Sequence, residues 1–380
     1  MSPASAVRPD LAEPLTSRPF SVLQSTMTVL QSTTATEMTT GRLQSLHSFL
    51  EETNGRLKAG QVAGARVWPS GFAHLDFRLT GGFRAGELVL LGGGPGLGKT
   101  TFALQVARNL VVSGHSVVFF SFEHDYHSLL ERLIVMEAAE IAGPVAVQLP
   151  TVRQAFRTSQ GPDRMMMEGR LFGTEGGAEA VEALEGYCDR LYLHRSSGAQ
   201  TDVEVMRSTI EAIRERTGRT PFVVVDYLQK VKAAAPSGDR RRSVQLSEED
   251  RITVVVEALK DMSLDLSVAV LALVAVDKSG LAAASRTRVR DLRGSSALAH
   301  EADIVLILNH KFDVVARHHL MFNTANAEQF HHWVVMSIEK NRNGVDNVDL
   351  EFRKRFENSR FDTDGGRVEE ELVDDRIFRE

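Results

Sequence analysis

The segment Gly93–Thr100 constrains the fold more than any other part of this chain. It reads Gly-Gly-Pro-Gly-Leu-Gly-Lys-Thr and satisfies every fixed position of the pattern G-x-x-x-x-G-K-[ST]. The apolar run Leu88–Leu91 precedes it and the helical pattern Thr101–Leu110 follows it. A strand before and a helix after are the context in which this pattern binds phosphate. A glycine-rich surface turn is the alternative, and we favour a phosphate-binding loop.

In such a loop, backbone N–H groups surround the phosphates of a nucleoside triphosphate, here expected to be ATP. On this interpretation Lys99 contacts the β- and γ-phosphates, and the Thr100 hydroxyl binds Mg²⁺. The cofactors expected from the loop are therefore ATP and Mg²⁺. The predicted nucleotide-binding residues are Gly93, Gly94, Pro95, Gly96, Leu97, Gly98, Lys99, Thr100 and Thr101.

Two acidic residues end apolar, strand-like runs elsewhere in the chain. Asp226 ends Phe222–Asp226, where a P-loop fold needs a carboxylate for the hydrated Mg²⁺. Glu123 ends the run that starts at Val117, and a carboxylate at that strand edge could orient and deprotonate the attacking water. Either acid could instead be an ordinary charged residue at a strand end. We predict Asp226 as a metal ligand and Glu123 as catalytic.

From Trp68 onward, strand-like runs alternate with helical stretches, which predicts an α/β domain with a mainly parallel central sheet. One segment, residues 143–178, interrupts this rhythm with several prolines and glycines. It is typical of an insertion or a mobile lid. The predicted strands are residues 88–91, 117–122, 222–226, 268–276, 304–308 and 333–338.

The N-terminal region differs in composition from the rest. Residues 1–40 are rich in Ser, Thr and Pro, which predicts a disordered arm. Within the arm, Val-Leu-Gln-Ser-Thr occurs twice, so a short docking helix is the alternative. Leucines at helical spacing predict an amphipathic linker helix within residues 41–66, ahead of a domain at 67–380. Its apolar stripe needs a partner, either this domain or a neighbouring subunit.

Composition restricts the class of protein. The single cysteine, Cys188, excludes an intrachain disulfide framework and a cysteine-based zinc cluster, which fits a reducing cytoplasm. The longest apolar run, Val268–Val276, is too short to span a bilayer, so no membrane association is expected. A formal net charge of -6 means that any binding of nucleic acid has to come from a local basic surface.

Seven further motifs, taken in order, resemble those of DnaB-type replicative helicases. The resemblance is to the C-terminal RecA-like ATPase domain of that family and covers about residues 66–361. It implies a RecA-like P-loop NTPase fold, assembly into a homohexameric ring, and ATP bound between neighbouring subunits. The motifs are Trp68–Asp76, Gly81–Leu88, Phe120–Glu123, Val225–Gln229, Asp291–Arg293, His300–Asp303 and Lys340–Gly344.

The resemblance also implies roles for individual residues. Glu123 matches the catalytic glutamate, and Lys340 and Arg342 match the cationic pair that reaches the γ-phosphate of the neighbouring subunit. An arginine inserted across an interface stabilises charge on the transferred phosphoryl group. Without the resemblance, Lys340–Gly344 would be interpreted as a polar hairpin turn.

The chain departs from the family pattern in three places. Ala275 stands where the family has a glutamine that senses the γ-phosphate, and a methyl group cannot form that hydrogen bond. Asp291–Ser296 reads Asp-Leu-Arg-Gly-Ser-Ser in place of Asp-Leu-Arg-Glu-Ser-Gly. Residues 1–66 are too short and too polar to form the family's primase-binding domain. These departures leave the residues expected to hydrolyse ATP in place and remove features that the family uses in duplex unwinding.

A local basic surface is predicted by four arginines in the segment that resembles a helicase pore loop: Arg286, Arg288, Arg290 and Arg293. A second basic run is Arg240–Arg242, and a solvated loop is the alternative for both. Two functions follow. We favour an ATP-driven ring translocase or helicase on single-stranded DNA. The alternative is a RecA-like oligomer that regulates or scaffolds a protein partner, contacted through residues 1–40.

Overall fold

The computed structural model describes residues 43–157, 166–233, 247–277, 285–321 and 324–374. The chain divides into two units, Met1–Gly64 and Ala65–Glu380. The predicted arm at residues 1–40 and the basic run at 240–242 lie outside the described residues.

The first unit contains one described helix, α1 (Leu46–Lys58). Its N-terminus is capped by Ser45, whose side chain accepts a hydrogen bond from the Ser48 N–H at 3.1 Å. Two basic residues in its last turn complement the helix dipole. The helix lies inside the range 41–66 in which leucine spacing predicts a linker helix. Its large apolar side chains are exposed: Leu46, Phe49, Leu50 and Leu57.

The second unit is built on a large central sheet whose strand order is β11-β10-β9-β8-β3-β7-β6-β4-β5, with β12 paired to β10. Strands β8, β3, β7, β6, β4 and β5 are mutually parallel, and β9 to β12 extend the sheet in antiparallel fashion. A separate two-stranded ribbon pairs β1 with β2. The strands are β1 (Val67–Trp68), β2 (Phe83–Arg84), β3 (Leu88–Gly93), β4 (Val117–Ser121), β5 (Leu191–Arg195), β6 (Phe222–Asp226), β7 (Val270–Val274), β8 (Ile304–His310), β9 (Trp333–Asn341), β10 (Val348–Arg355), β11 (Arg360–Phe361) and β12 (Gly366–Arg367).

The sheet is covered on both faces, which is why its central strands are uniformly apolar. Successive side chains of β3 point to opposite faces. Val89 and Leu91 belong to the core that contains Phe102 of the helix after β3, whereas Leu88 and Leu90 belong to the core on the other face. All six predicted strands are present. The fold is a RecA-like α/β domain with a mainly parallel sheet, as predicted.

Helices connect the strands and form the outer layers: α2 (Ala73–Arg78), α3 (Lys99–Val112), α4 (Tyr126–Ala142), α5 (Leu149–Arg157), α6 (Met167–Leu171), α7 (Gly177–Glu185), α8 (Val203–Thr217), α9 (Glu248–Asp265), α10 (Ser295–Glu301), α11 (Lys311–Val314), α12 (Arg317–Met321) and α13 (Thr324–Phe330). Across the described ranges, no helix is long and apolar enough to cross a membrane.

The predicted insertion at 143–178 lies in the connection from β4 to β5. Its described residues form α5, α6 and the start of α7, and residues 158–165 lie outside the described ranges. Val152, Leu171 and Val181 form a small third core with Ile134 and Ala138 of α4. The described part is therefore a packed helical unit supported by α4.

Candidate nucleotide-binding site

The phosphate-binding loop joins the carboxyl end of β3 to the start of α3, as the sequence predicted. Two of its glycines are needed for steric reasons. Gly98 has a φ of +88°, and a β-carbon there would lie 2.6 Å from the Phe356 ring. Gly93 has a φ of +146°, and a β-carbon would lie 2.8 Å from the Leu308 carbonyl oxygen. The loop therefore fits tightly against neighbouring strands and turns.

Lys99 folds back over the loop that it follows. Its Nζ donates hydrogen bonds to the carbonyl oxygens of Gly93 at 2.7 Å and Gly94 at 2.9 Å. Burial lowers the pKa of Lys99 from its ordinary value, and the carboxylates of Asp226 and Glu123 oppose that shift. The ammonium group therefore lies between the loop and both predicted acids, where a charged phosphate would be bound.

Thr100 and Asp226, the two predicted metal ligands, are in direct contact. The Thr100 hydroxyl donates to Asp226 Oδ2 at 2.9 Å, although 126 residues separate them in sequence. Burial raises the pKa of Asp226 to about 6; the Thr100 hydrogen bond lowers it and the nearby Glu123 raises it. A hydroxyl and a carboxylate are hard oxygen donors of the kind that Mg²⁺ prefers beside phosphate oxygens. The pair fits the expected metal.

A cavity of about 610 Å³ brings the two halves of the site together. Glu123 lines it beside Lys99, Thr100 and Asp226, so the predicted catalytic acid shares one cavity with the loop. Gly94 and Leu97 do not line it. The Leu97 side chain is buried in the core, so only the backbone of Leu97 could contact phosphate. The other loop residues on the wall are Gly93, Pro95, Gly96, Gly98 and Thr101.

The sequence patterns did not predict several residues that line the cavity: His124, Arg132, Leu149, Tyr227, Phe356 and Ser359. Arg132 is the most notable for chemistry. It lies on α4, and its charge lowers the pKa of Asp226. Its Nε is buried and has no hydrogen-bond partner among the residues that the structure describes. The only sequence signal was its position nine residues after Glu123 on the helix that follows, a spacing that needs the structure for its interpretation.

Lys340 and Arg342 lie at the opposite end of the sheet from the phosphate-binding loop. Lys340 Nζ donates to the Ala299 carbonyl oxygen at 2.7 Å, and Arg342 Nη2 donates to the His300 carbonyl oxygen at 2.5 Å. The Arg342 N–H also donates to the Asp303 carbonyl oxygen at 2.9 Å. Neither side chain lines the cavity of its own chain.

The four predicted DNA-contacting arginines are in different environments. Arg286 is 5% exposed, forms an ion pair with Asp349 and donates to Ser337 Oγ at 2.8 Å. The prediction for Arg286 does not fit this placement, because a buried, paired guanidinium cannot track a phosphate backbone. Its side chain instead ties this segment to β9 and β10.

The other three arginines are more accessible. Arg288 is half-buried and forms ion pairs with Glu339, at 2.7 Å, and with Asp374. Arg293 pairs with Glu248 while keeping 46% of its side chain exposed. Arg290 is exposed and makes no ion pair within the described part of the chain. Within this described segment, the accessible basic surface is therefore smaller than the pattern of four arginines indicated.

The loop after β3, the acid that ends β6 and the acid that follows β4 line one cavity, an arrangement typical of a P-loop NTPase site on a RecA-like sheet. A family model described as "DnaB-like helicase C terminal domain" matches residues 68–362. The chain belongs to the DnaB-like helicase family through this domain, which confirms the resemblance in the motifs.

Named relatives agree with this assignment. A replicative DNA helicase DnaB of Rhodothermus marinus is 29% identical over 272 residues, covering 69% of this chain and 25% of the relative. The replicative DNA helicase DnaB of Pasteurella multocida is 28% identical over 327 residues, covering 84% of this chain and 61% of the relative. This chain thus spans less than two thirds of the length of either relative.

Solved structures share the fold. A structure described as an ATPase domain superposes with a TM-score of 0.63 at 23% identity, covering 84% of this chain and 98% of that chain. A DnaB-like replicative helicase, solved in a study of its interactions with primase, gives a TM-score of 0.62 at 22% identity, covering 83% of this chain and 68% of that chain.

Proposed function

We propose that this protein hydrolyses ATP and uses the reaction to move along single-stranded DNA as a homo-oligomeric ring of the helicase type. The observation that supports this most is the contact of Thr100 with Asp226 in the cavity that also holds Lys99 and Glu123. Four side chains from three separate segments thus meet where the γ-phosphate of a bound nucleotide would lie. A glycine-rich surface turn would not need these groups around it.

Each side chain has a role in hydrolysis. The Lys99 ammonium neutralises charge on the β- and γ-phosphates, and the backbone N–H groups of the loop hold them in place. Glu123 orients the attacking water and accepts its proton. Thr100 and Asp226 would hold Mg²⁺, which supplies positive charge beside the transferred phosphoryl group. Arg132, on the same wall, adds a cation near Asp226.

The position of Arg342 favours action on a neighbouring subunit. Asn343 Nδ2 donates to Glu87 Oε1 at 2.7 Å, which places this turn beside the amino end of β3. The phosphate-binding loop starts at the other end of that six-residue strand. At about 3.3 Å per residue, the two are roughly 20 Å apart, farther than an arginine side chain reaches. Arg342 forms an ion pair with Asp303 at 3.4 Å, and 47% of its side chain stays exposed, so another chain can reach it.

Single-stranded DNA is the proposed substrate, although only three of the four predicted arginines can support its binding. Arg290 and Arg293 remain exposed enough to contact phosphates, and Arg288 retains part of its surface. Such contacts are independent of base sequence and weaken with salt. Binding at the centre of a hexameric ring, a cytoplasmic location and a protein partner for residues 1–40 are further parts of this proposal.

The direct test measures ATP turnover by size-fractionated protein with and without single-stranded DNA in Mg²⁺ at low salt. We expect DNA to bind and to raise turnover. Lys99→Ala should abolish turnover while leaving the fold intact, because its ammonium faces the cavity. Turnover without any affinity for DNA would favour the alternative, an oligomer that uses ATP to hold a protein partner. Unchanged turnover in Lys99→Ala would contradict the assignment of the site.

A further inference from the structure

Gln229 occupies a position between the nucleotide cavity and the arginine segment Ser285–Arg293. It lies in a short 3₁₀ turn after β6, three residues beyond Asp226, and is 6% exposed. The turn is part of the motif Val225–Gln229, of which hydrolysis requires only the aspartate. A buried carboxamide in this place needs hydrogen-bond partners.

The Gln229 carboxamide is directed at two backbone positions. Its Oε1 accepts from the Ala275 N–H at 3.1 Å. Its Nε2 donates to the Ala275 carbonyl oxygen at 3.5 Å and to the Arg293 carbonyl oxygen at 3.3 Å. The side chain therefore holds both polar groups of residue 275 and one of residue 293, and it uses its acceptor and its amide donors together.

The two residues whose backbone groups Gln229 binds belong to different regions, one to the nucleotide cavity and one to the arginine segment. Ala275 follows β7 and lines the nucleotide cavity. Arg293 ends the arginine segment, and its N–H donates to the Ala275 carbonyl oxygen at 3.1 Å. Beside them, Val276 and Leu292 form an antiparallel bridge. The wall of the cavity and the arginine segment are thus paired backbone to backbone, with Gln229 fixing the pair to the turn after the metal ligand.

We propose that Gln229 is a positioning residue that couples the nucleotide site to the arginine segment through the backbone of Ala275. Ala275 has no side-chain amide with which to sense a phosphate, so a link between the two sites at this position has to run through the main chain. A displacement of Asp226 at the end of β6 would move the turn that follows it and would pass through the Gln229 amide to residues 275 and 293. The inference rests on the proposed function for the role of the arginine segment on DNA.

The test compares hydrogen–deuterium exchange in the full-length protein with Mg²⁺ and either ADP or a non-hydrolysable ATP analogue. In the wild type we expect the exchange of residues 285–293 to differ between the two nucleotides. Gln229→Met keeps the length of the side chain but loses its hydrogen bonds, and should abolish that difference. Gln229→Glu keeps the acceptor and should reduce it. Lys230→Ala, an exposed neighbour in the same turn, should behave as the wild type.

Two functional readouts separate coupling from simple stabilisation. Gln229→Met should keep the wild-type KM for ATP in the absence of DNA. The ratio of its single-stranded DNA affinities with the two nucleotides should fall towards one. A full nucleotide response of residues 285–293 in both Gln229 variants would overturn the proposal, as would a wild type without any such response. Absence of DNA binding would count against the proposed function alone, because the exchange comparison needs no DNA.

Discussion

At the scale of single residues, the buried carboxyl of Asp226 lowers the free energy of unfolding of the metal-free protein when it is ionised. The pKa of this buried carboxyl is raised from 3.8 to about 6, so the folded protein favours its protonated form. Well below the unfolded pKa, the carboxyl is protonated in both folded and unfolded chains. As pH rises through about 6, the metal-free folded state has to hold a buried negative charge beside Glu123, and the stabilising contribution of the protonated form is lost.

We therefore predict that Asp226→Asn stabilises the metal-free protein at pH 8 by roughly 1–3 kcal/mol, because the amide is neutral and can still accept from Thr100. The gain should shrink towards zero near pH 4. Urea unfolding in EDTA at the two pH values measures it. Asp261→Asn, the same substitution at an exposed position of α9, is the matched control. The same Asp226 variant should lose Mg²⁺-dependent ATP binding. Equal unfolding free energies for Asp226→Asn and the wild type at pH 8 would contradict the prediction.

At the scale of elements, the two ends of the arginine segment differ: the end with Arg286 is buried against the sheet, and the end with Arg290 is exposed. Arg286 pairs with Asp349 of β10, whereas Arg290 is exposed. Arg286→Gln should lower the free energy of unfolding by roughly 1–3 kcal/mol, because it leaves a partly buried carboxylate unpaired. Arg290→Gln should leave stability unchanged, weaken binding to single-stranded DNA and flatten its salt dependence.

Unfolding curves and DNA titrations at several salt concentrations distinguish the two variants of the arginine segment. Full stability and weakened DNA binding in Arg286→Gln would instead support the original prediction that Arg286 contacts DNA. That result would also mean that the ion pair with Asp349 is dispensable.

At the scale of the whole molecule, the separation of Arg342 from its own phosphate-binding loop predicts active sites shared between chains. Lys99→Ala and Arg342→Ala should each be inactive. Mixing them under conditions of subunit exchange should restore part of the ATPase activity, since some interfaces then pair an intact loop with an intact arginine.

A matched control for this mixing experiment uses two residues of the same cavity. Lys99 and Glu123 line one cavity of one chain, so Lys99→Ala mixed with Glu123→Gln should recover nothing. Recovery in both mixtures would argue against the proposed sharing of sites. Recovery in neither, with exchange verified, would mean that Arg342 does not act across an interface.

The sequence by itself was sufficient to predict the candidate phosphate-binding loop and the central sheet. Only glycine tolerates the backbone of Gly98, and a lysine and a hydroxyl must follow it, so the loop is a contiguous pattern that can be recognised without a fold. Strands buried on both faces are apolar throughout, which made the central sheet predictable as well. The spacing of leucines also predicts a helix in the range that contains α1.

Contacts between distant segments were decided by the tertiary structure alone. Thr100 meets Asp226 across 126 residues, and Gln229 meets Arg293 across 64. Charge in a sequence does not state whether a side chain is solvated, so Arg286 was expected on the surface and lies in an ion pair inside the protein. Arg132 was missed for the same reason. Burial and pairing depend on where the chain folds back upon itself, which no local pattern records.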